Sequence, residues 1–350
     1  MTGMTSPIAL AVAGYGLVGR RHVAAIMRTR GVEVAAVIDP VAASRDRAAA
    51  EGLTVFETLE DCLDAGQADG IILATPNNLH VAQAGLCIAA GRPVLIEKPI
   101  ATRASEAEGM VAQARARGVP VLVGHHRRHN PIIHRARALI DAGEIGEIRA
   151  VQATCWFYKP DAYFDEAPWR RQAGAGPVAV NLVHDIDLLR HLCGDVATVQ
   201  AIARPARRGG ENEDVASALL GFATGAVGTV TVSDSIVAPW SWEMTAGEYP
   251  IYPRTTESCY LLGGSDGAMS LPDLRVWRHA AGQRDWWTPI AATSEIRDAT
   301  DPLVNQIAHF AEVVRGAAEP LVSGEEGLKT LRVIEAIQQA AASGQAVSLP

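Results

Sequence analysis

Ile8-Ala9-Leu10-Ala11-Val12-Ala13-Gly14-Tyr15-Gly16-Leu17-Val18-Gly19 decides the fold of the first part of the chain. An apolar run of strand length stops at three spaced glycines, and a helical pattern then continues to about Met27. The glycine spacing alone is weak evidence, and its place between a strand and a helix gives it meaning. Gly14 permits the tight turn, Gly16 lets the backbone approach a pyrophosphate, and Gly19 lets the helix pack closely on the strand. The N–H groups and positive dipole end of that helix favour phosphates, so Tyr15, Leu17 and Val18 belong to the same binding loop. A second apolar run, Val32 to Ile38, ends in Asp39, about 20 residues past the last glycine, where an acid can bond both ribose hydroxyls. A carboxylate there repels a 2′-phosphate, so the expected cofactor is NAD rather than NADP. The alternative is a glycine-rich turn that binds nothing, and the shared register of strand, glycines and acid argues against it.

Outward from this motif, Ile8–Ala13, Val32–Ile38, Gly70–Ala74, Val94–Ile96 and Val119–Val123 read as strands apolar enough to be covered on both faces. Helical patterns lie between them at Gly16–Arg30, Val41–Glu51, Leu79–Ala90 and Arg103–Arg117. This alternation predicts an α/β fold with a Rossmann-type, doubly wound parallel sheet whose ligand crevice lies at the carboxyl ends of the strands. Past residue 125 the pattern changes. A helix over Pro131–Ala142 precedes a long alternating strand, Glu147–Phe157. The turn Gly174-Ala175-Gly176-Pro177 then leads into a helix ending near Cys193. Strands are expected at Thr198–Ala203, Ala216–Phe222, Gly228–Val232, Ser258–Leu262 and Arg275–Trp277, and helices at Pro302–Val314 and Glu325–Ala341. The reading is an NAD-binding domain over residues 1–125 and, over 126–350, an α+β domain on a largely antiparallel open sheet that would bind substrate.

The 350 residues are more than one typical core holds. With 48% hydrophobic and 20% charged residues the composition is that of a globular enzyme. A net charge of −8 argues against a general nucleic-acid binder. The five cysteines are scattered, without a CxxC pair, which fits a reducing compartment and offers no zinc spacing. No run is long enough to span a membrane, and Met1–Pro7 carries no basic region ahead of the apolar run. A cytoplasmic protein without a metal site, nucleic-acid partner or membrane is the expectation.

Glu97-Lys98-Pro99 follows the strand Val94–Ile96, which puts Lys98 in the crevice, on the nicotinamide side of a bound dinucleotide. A lysine there can bond a substrate hydroxyl and lower its pKa. Taken alone, it reads rather as a strand-end lysine pointing to water, because most lysines are solvated. His184 sits in a helical pattern with Asn181 and Asp187 three positions to either side, where an imidazole can act as general base near neutrality or fill a core. Thr75, Pro76, Asn77 and His80 follow a strand and can bond the cofactor, while Asn78 can cap the next helix. Basic residues cluster at 125–129, among them His126 and Arg128. An aromatic stretch runs from Trp156 to Phe164 around Lys159, followed by Trp169-Arg170-Arg171, and it can line a cleft, a core or an oligomer contact.

Together these motifs resemble the glucose–fructose oxidoreductase, inositol dehydrogenase and rhizopine-catabolism (Gfo/Idh/MocA) family over essentially the whole chain. The resemblance rests on Gly14 to Gly19 with Arg21-His22, on Ala74-Thr75-Pro76-Asn77 and on Glu97-Lys98-Pro99. It continues with Arg127-Arg128-His129-Asn130-Pro131, the glycine-rich turn before His184-Asp185-Ile186-Asp187, and Gly324-Glu325-Glu326-Gly327-Leu328-Lys329. It implies that Lys98 is the lysine of the Glu-Lys-Pro motif, that His184 matches the catalytic histidine, and that the open sheet assembles dimers or tetramers. Many inositol dehydrogenase-like members carry an aspartate four residues before that histidine. Here the position is Val180, and Asn181 is the nearest polar group. The implied activity is NAD-dependent oxidation of a secondary alcohol on a sugar, cyclic polyol or related small polar ring. His184 would take the proton and Lys98 would stabilise the charge, with Arg128, His126, Lys159, Arg170 and Asn181 as substrate contacts. Two rival readings are an NAD-retaining glycoside hydrolase that works by transient oxidation and a non-catalytic NAD-binding sensor.

Overall fold

The computed structural model describes residues 6–280, 283–298 and 300–350. The chain divides into two compact units, Met1–His129 with Thr300–Leu331, and Asn130–Ala299 with Arg332–Pro350.

In the first unit the elements run β1 (Ile8–Ala13), α1 (Leu17–Arg28), β2 (Val32–Ile38), α2 (Ala42–Ala50), β3 (Val55–Phe56), α3 (Leu59–Ala65), β4 (Gly70–Leu73), α4 (His80–Ala89), β5 (Val94–Ile96), α5 (Ala104–Arg117) and β6 (Val121–Val123). The six strands pair in parallel in the order β3-β2-β1-β4-β5-β6. Strand order reverses between β1 and β4, so the loops leaving β1, β4 and β5 all open at the carboxyl end of the sheet, where such folds bind ligands. Along β1, Leu10 and Val12 face one apolar layer while Ala11 and Ala13 face the other, which is why a continuous apolar run suits this strand. The short pair β3 and α3 was not anticipated. Two strand residues carry no period, and α3 is stopped early by its own caps. Thr58 accepts from the Asp61 N–H at 3.1 Å, and Gly66 adopts φ +66°.

The second unit continues with α6 (Pro131–Asp141), β7 (Ile148–Trp156), α7 (Asp161–Asp165), α8 (Val183–Cys193), β8 (Val196–Pro205), β9 (Glu213–Phe222), β10 (Val227–Ser233), α9 (Trp242–Thr245), β11 (Tyr260–Gly264), β12 (Ala268–Leu271), β13 (Arg275–Arg278) and β14 (Ala291–Ser294). α10 (Pro302–Val314) returns to the first unit, placing Ile307 and Phe310 in the same layer as Ile26 of α1. α11 (Gly324–Ser343) gives Leu328 and Leu331 to the first unit's core and Val333 and Ile337 to the second's, before β15 (Val347–Ser348). Nine strands form one sheet in the order β14-β13-β12-β11-β7-β10-β9-β8-β15, antiparallel except for the pair β7 and β10. Alternation along β9 buries Ala216, Ala218, Leu220 and Phe222 against α6 and α8, and leaves Ser217 and Leu219 outside. Ile202, Val227 and Leu261 are exposed with Leu219.

The expected helix ahead of Cys193 is not a single α-helix. Val178–Leu182 is a π-turn that runs into α8. Among the described residues, no helix is long and apolar enough to cross a membrane. All five cysteines are buried, and burial pushes the Cys62, Cys87 and Cys193 thiols up to about 11, 12 and 12, away from reactive thiolates.

Candidate active site

In the first unit each glycine does a separate job. Gly14 has φ +88°, and a Cβ there would sit 2.6 Å from the Ala74 carbonyl oxygen at the end of β4. A Cβ on Gly19 would fall well inside contact distance of the Gly14 carbonyl. A Cβ on Gly16 would meet nothing within 4 Å, so this residue borders open space at the helix N-terminus. Gly16 is also the N-cap of α1. No side chain caps the helix and its first turn holds no acid, while Leu17 and Val18 stand exposed. The cradle therefore presents helix N–H groups to an open surface, which fits the diphosphate of a dinucleotide.

Asp39 closes β2 and is 7% exposed. Its Oδ2 accepts the Tyr15 N–H at 2.8 Å and its Oδ1 accepts the Val41 N–H at 2.9 Å. The acid thus shapes the glycine loop as well as standing where a ribose is expected. Tyr15 turns its ring into the core and donates its hydroxyl to Glu51 Oε2 at 2.6 Å. Burial and this bond push the phenol up to about 12.

The loop after β4 begins at Thr75, whose hydroxyl donates to Gln83 Oε1 at 2.6 Å. Pro76 and Asn77 lead into a single 3₁₀ turn, Asn77–Leu79. Asn78 does not cap α4. Leu79 takes the N-cap position without a side-chain bond, because the 3₁₀ turn delivers the chain to the helix directly. His80 is buried and touches only backbone carbonyls, those of Thr75 and Pro99. After β5, Glu97 meets His22 of α1 at 2.7 Å. Burial raises the Glu97 pKa, but the His22 bond and the charges of His22, Lys98 and His126 outweigh it and hold the group at about 2. Lys98 follows it, half-buried, on the same loop. His126 stands in the one-turn segment His126–His129 with Arg128, which is buried and pairs with Glu326 Oε2 at 3.1 Å. That pair links positions 198 apart in sequence and gives Arg128 a structural partner that the local pattern could not reveal.

In the second unit the parallel pair β7 and β10 brings two carboxyl-terminal extensions together. The Lys159 N–H donates to the Asp234 carbonyl at 2.9 Å, and the Lys159 ammonium lies 3.3 Å from Asp234 Oδ2. The same ammonium donates to Asn181 Oδ1 at 2.8 Å, reaching the π-turn that precedes His184. Burial lowers the Lys159 pKa below the ordinary lysine range, against the upward pull of Asp234. Arg208 holds the other Asp234 oxygen at 3.1 Å. Arg170 stacks over Tyr163 at 3.9 Å and donates to the Tyr163 carbonyl. Glu213 of β9 accepts the Val178 N–H at 2.9 Å and so anchors the start of the turn. His184 lies in the first turn of α8 and is 8% exposed. Next to it, Asp185 accepts the hydroxyl of Tyr260, whose ring stacks on Trp242 at 5.6 Å.

Asp234, Arg208 and Tyr260 were not singled out from the sequence. Asp234 had a readable signal, since an acid closes an apolar strand there just as Asp39 closes β2. Arg208 and Tyr260 gave none. Among the described residues, no group of three or more His, Cys, Asp or Glu side chains is arranged to hold a metal ion.

Two family models match the chain. The oxidoreductase family with an NAD-binding Rossmann fold covers residues 8–125, and the GFO/IDH/MocA C-terminal domain covers residues 133–249. The rhizopine catabolism protein MocA of Rhizobium meliloti is 36% identical over 192 residues, spanning 54% of this chain and 58% of that protein. The 1,5-anhydro-D-fructose reductase of Ensifer adhaerens is 28% identical over 348 residues, 96% of this chain and 97% of that one. The crystal structure of the WlbA dehydrogenase from Bordetella pertussis, in complex with NADH and UDP-GlcNAcA, superposes with a TM-score of 0.78 at 27% identity, covering 98% and 99% of the two chains. With its glycine cradle, its Glu-Lys-Pro loop and its nine-stranded second sheet, this chain belongs to the GFO/IDH/MocA family of NAD-binding Rossmann-fold oxidoreductases.

Proposed function

We propose that the protein oxidises a secondary alcohol of a sugar, cyclic polyol or related polar ring in an NAD-dependent reaction, with Lys98 and His184 as its catalytic residues. The observation that carries this reading is that the open Gly16 cradle after β1 and Glu97-Lys98-Pro99 after β5 lie at the same end of one sheet, on either side of the β4 loop. NAD, when bound, supplies the hydride acceptor. The chain's own residues do the rest. The N–H groups at the start of α1 hold the diphosphate, and Asp39 reads the ribose hydroxyls. Lys98 bonds the reacting hydroxyl and stabilises the negative charge that develops on its oxygen. His184 accepts the hydroxyl proton. Asn181, whose Oδ1 accepts the Lys159 ammonium at 2.8 Å, takes the orienting role beside His184 that an aspartate four residues before the histidine has in many inositol dehydrogenase-like members. Lys159, paired with Asp234 at 3.3 Å, is a hydrogen-bond donor for a densely oxygenated ring. His126 and Arg170 are further substrate contacts, whereas Arg128 acts through its ion pair with Glu326. The names of the reductase and of the WlbA dehydrogenase complex support a carbohydrate-type substrate.

The test is purified protein with NAD and a panel of sugars, inositols, sugar acids and cyclic diols, followed by NADH absorbance. A hit lost in His184→Ala supports the reading. Release of a sugar leaving group without NADH would mean the redox-assisted hydrolase instead.

Replacing Asp39 by Ala removes two charge-assisted bonds to backbone N–H groups as well as the ribose acceptor. At about 1.5–3 kcal/mol for a bond to a charged group, NAD affinity falls by roughly 10- to 100-fold. The NAD-to-NADP preference shrinks at the same time. Calorimetry with both dinucleotides checks this, and an unchanged preference would assign ribose reading elsewhere.

The protein is further proposed to work in the cytoplasm, where buried, unmatched cysteines persist, and to assemble as a homo-oligomer. The exposed Ile202, Leu219, Val227 and Leu261 supply an apolar outer face for that assembly. Leu219→Lys with Leu261→Lys should reduce the mass seen by sedimentation. An unchanged mass would place any interface elsewhere.

A further inference from the structure

Glu97-Lys98-Pro99 is gripped from both ends by buried imidazoles. On one side His22 of α1, 0% exposed, places Nε2 2.7 Å from Glu97 Oε1, and Glu97 Oε2 accepts the Lys98 backbone N–H at 3.1 Å. On the other side His80, 1% exposed at the start of α4, has Nδ1 2.9 Å from the Pro99 carbonyl and Nε2 2.9 Å from the Thr75 carbonyl. Both ring nitrogens of His80 thus face backbone carbonyls, and a carbonyl oxygen only accepts, so the nitrogen that carries the proton donates to the carbonyl it faces. One buried ring therefore stitches the loop leaving β4 to the loop leaving β5, directly beside Lys98. Both of its nitrogens face backbone, so it has no ring nitrogen to offer a ligand. Thr75 is tied back to α4 a second time through Gln83, so the stitched point is itself anchored.

Loops at a sheet's carboxyl end can satisfy their carbonyls with water. A buried imidazole in that place does something water cannot, because it fixes the separation of the two loops. Reacting groups need placement to within about 0.5 Å, and a displacement of about 1 Å can cost on the order of 10²-fold in rate. We propose that His80 is a positioning residue for Lys98. By holding the Thr75 and Pro99 carbonyls on one ring, it fixes the backbone from which the lysine reaches the substrate oxygen, while His22 fixes the other end through Glu97. The proposal rests on the reading of Lys98 as the group that bonds that oxygen.

The composition makes a direct test feasible. Only three of the chain's 31 lysines and arginines are lysine, namely Lys98, Lys159 and Lys329. Selective isotope labelling of lysine at Cε gives three side-chain methylene signals, one per lysine, each assignable by a Lys→Arg variant. Lys329, with 47% of its side chain exposed, is the internal reference for a solvated amine. His80→Phe keeps the ring volume and removes both ring nitrogens, and His80→Gln keeps a side-chain NH2 donor. The expected result is that His80→Phe moves the Lys98 signal toward that of Lys329 without moving Lys159 or Lys329, and that His80→Gln moves it less. With an identified substrate, kcat of His80→Phe falls about 10- to 100-fold while substrate KM and the NAD dissociation constant stay within about threefold. An unmoved Lys98 signal in the folded variant overturns the proposal, as does a KM or NAD affinity that changes as much as kcat. If His80→Phe does not fold, His80→Gln carries the same comparison against the wild type. The spectra need no substrate, so a silent substrate panel would count against the dehydrogenase reading and leave this result to be judged by itself.

Discussion

Lys98→Ala lowers kcat by about 10³-fold and leaves the NAD dissociation constant within about threefold of the wild-type value. Positioned proton transfer is worth about 10²–10⁴-fold, and one preorganised donor to a developing oxyanion about 10²–10³-fold. Because Lys98 is assigned the charge and His184 the proton, the two losses overlap. His184→Ala alone should cost a comparable factor, and the double variant only a little more, as for residues that act as a unit. Lys98→Arg separates the contributions. Arginine keeps a positive charge but holds a planar, permanently protonated group, so it restores little if the compact ammonium matters. Steady-state kinetics with the first substrate identified, together with calorimetry for NAD, decide the matter. A Lys98→Ala enzyme within about tenfold of wild type would remove the lysine from the chemistry.

Gly19→Val abolishes NAD binding and destabilises the first unit. The new Cβ meets the Gly14 carbonyl, which is backbone and has no rotamer with which to move away. Overpacking of this kind costs about 3 kcal/mol, which lowers the thermal midpoint by roughly 10 °C in a unit of this size. NAD affinity falls at least about 100-fold, because the turn that aims the α1 N–H groups is displaced. Gly16→Ala is the contrasting case. Its φ of −72° is ordinary, and its Cβ meets nothing within 4 Å, so the fold and melting temperature stay as they are. Only a ligand can feel that methyl group. Weakened NAD binding at unchanged stability would therefore map the diphosphate onto Gly16. Unaltered NAD binding in Gly16→Ala would move the diphosphate away from this helix.

How much of this could be read in advance follows from the range of each interaction. The glycine loop, Asp39 and Glu97-Lys98-Pro99 are legible because their chemistry is set by local spacing at strand ends. β1, β2, β5 and α10 fall on the bounds expected from their apolar periods. β3 and α3 are too short to show a period. The π-turn Val178–Leu182 hides inside a helical pattern, since one extra residue per turn scarcely alters the order of apolar and polar positions. Partners far apart in sequence leave no local trace. Arg128 has the look of a substrate cation until Glu326 is found beside it, and Lys159 shows its link to Asn181 only once β7 lies parallel to β10. His80 looks like a cofactor ligand from its place after Thr75-Pro76-Asn77. Its burial between two carbonyls gives it a different task.

The most direct test of the central claim is isotopic. A substrate from the panel is prepared with deuterium on the carbinol carbon and turned over with NAD, and the released NADH is weighed by mass spectrometry. The account predicts one deuterium per NADH, NADH equal to substrate consumed, and a slowed rate for the deuterated compound. Substrate cleaved without released NADH, or NADH free of deuterium, would contradict it.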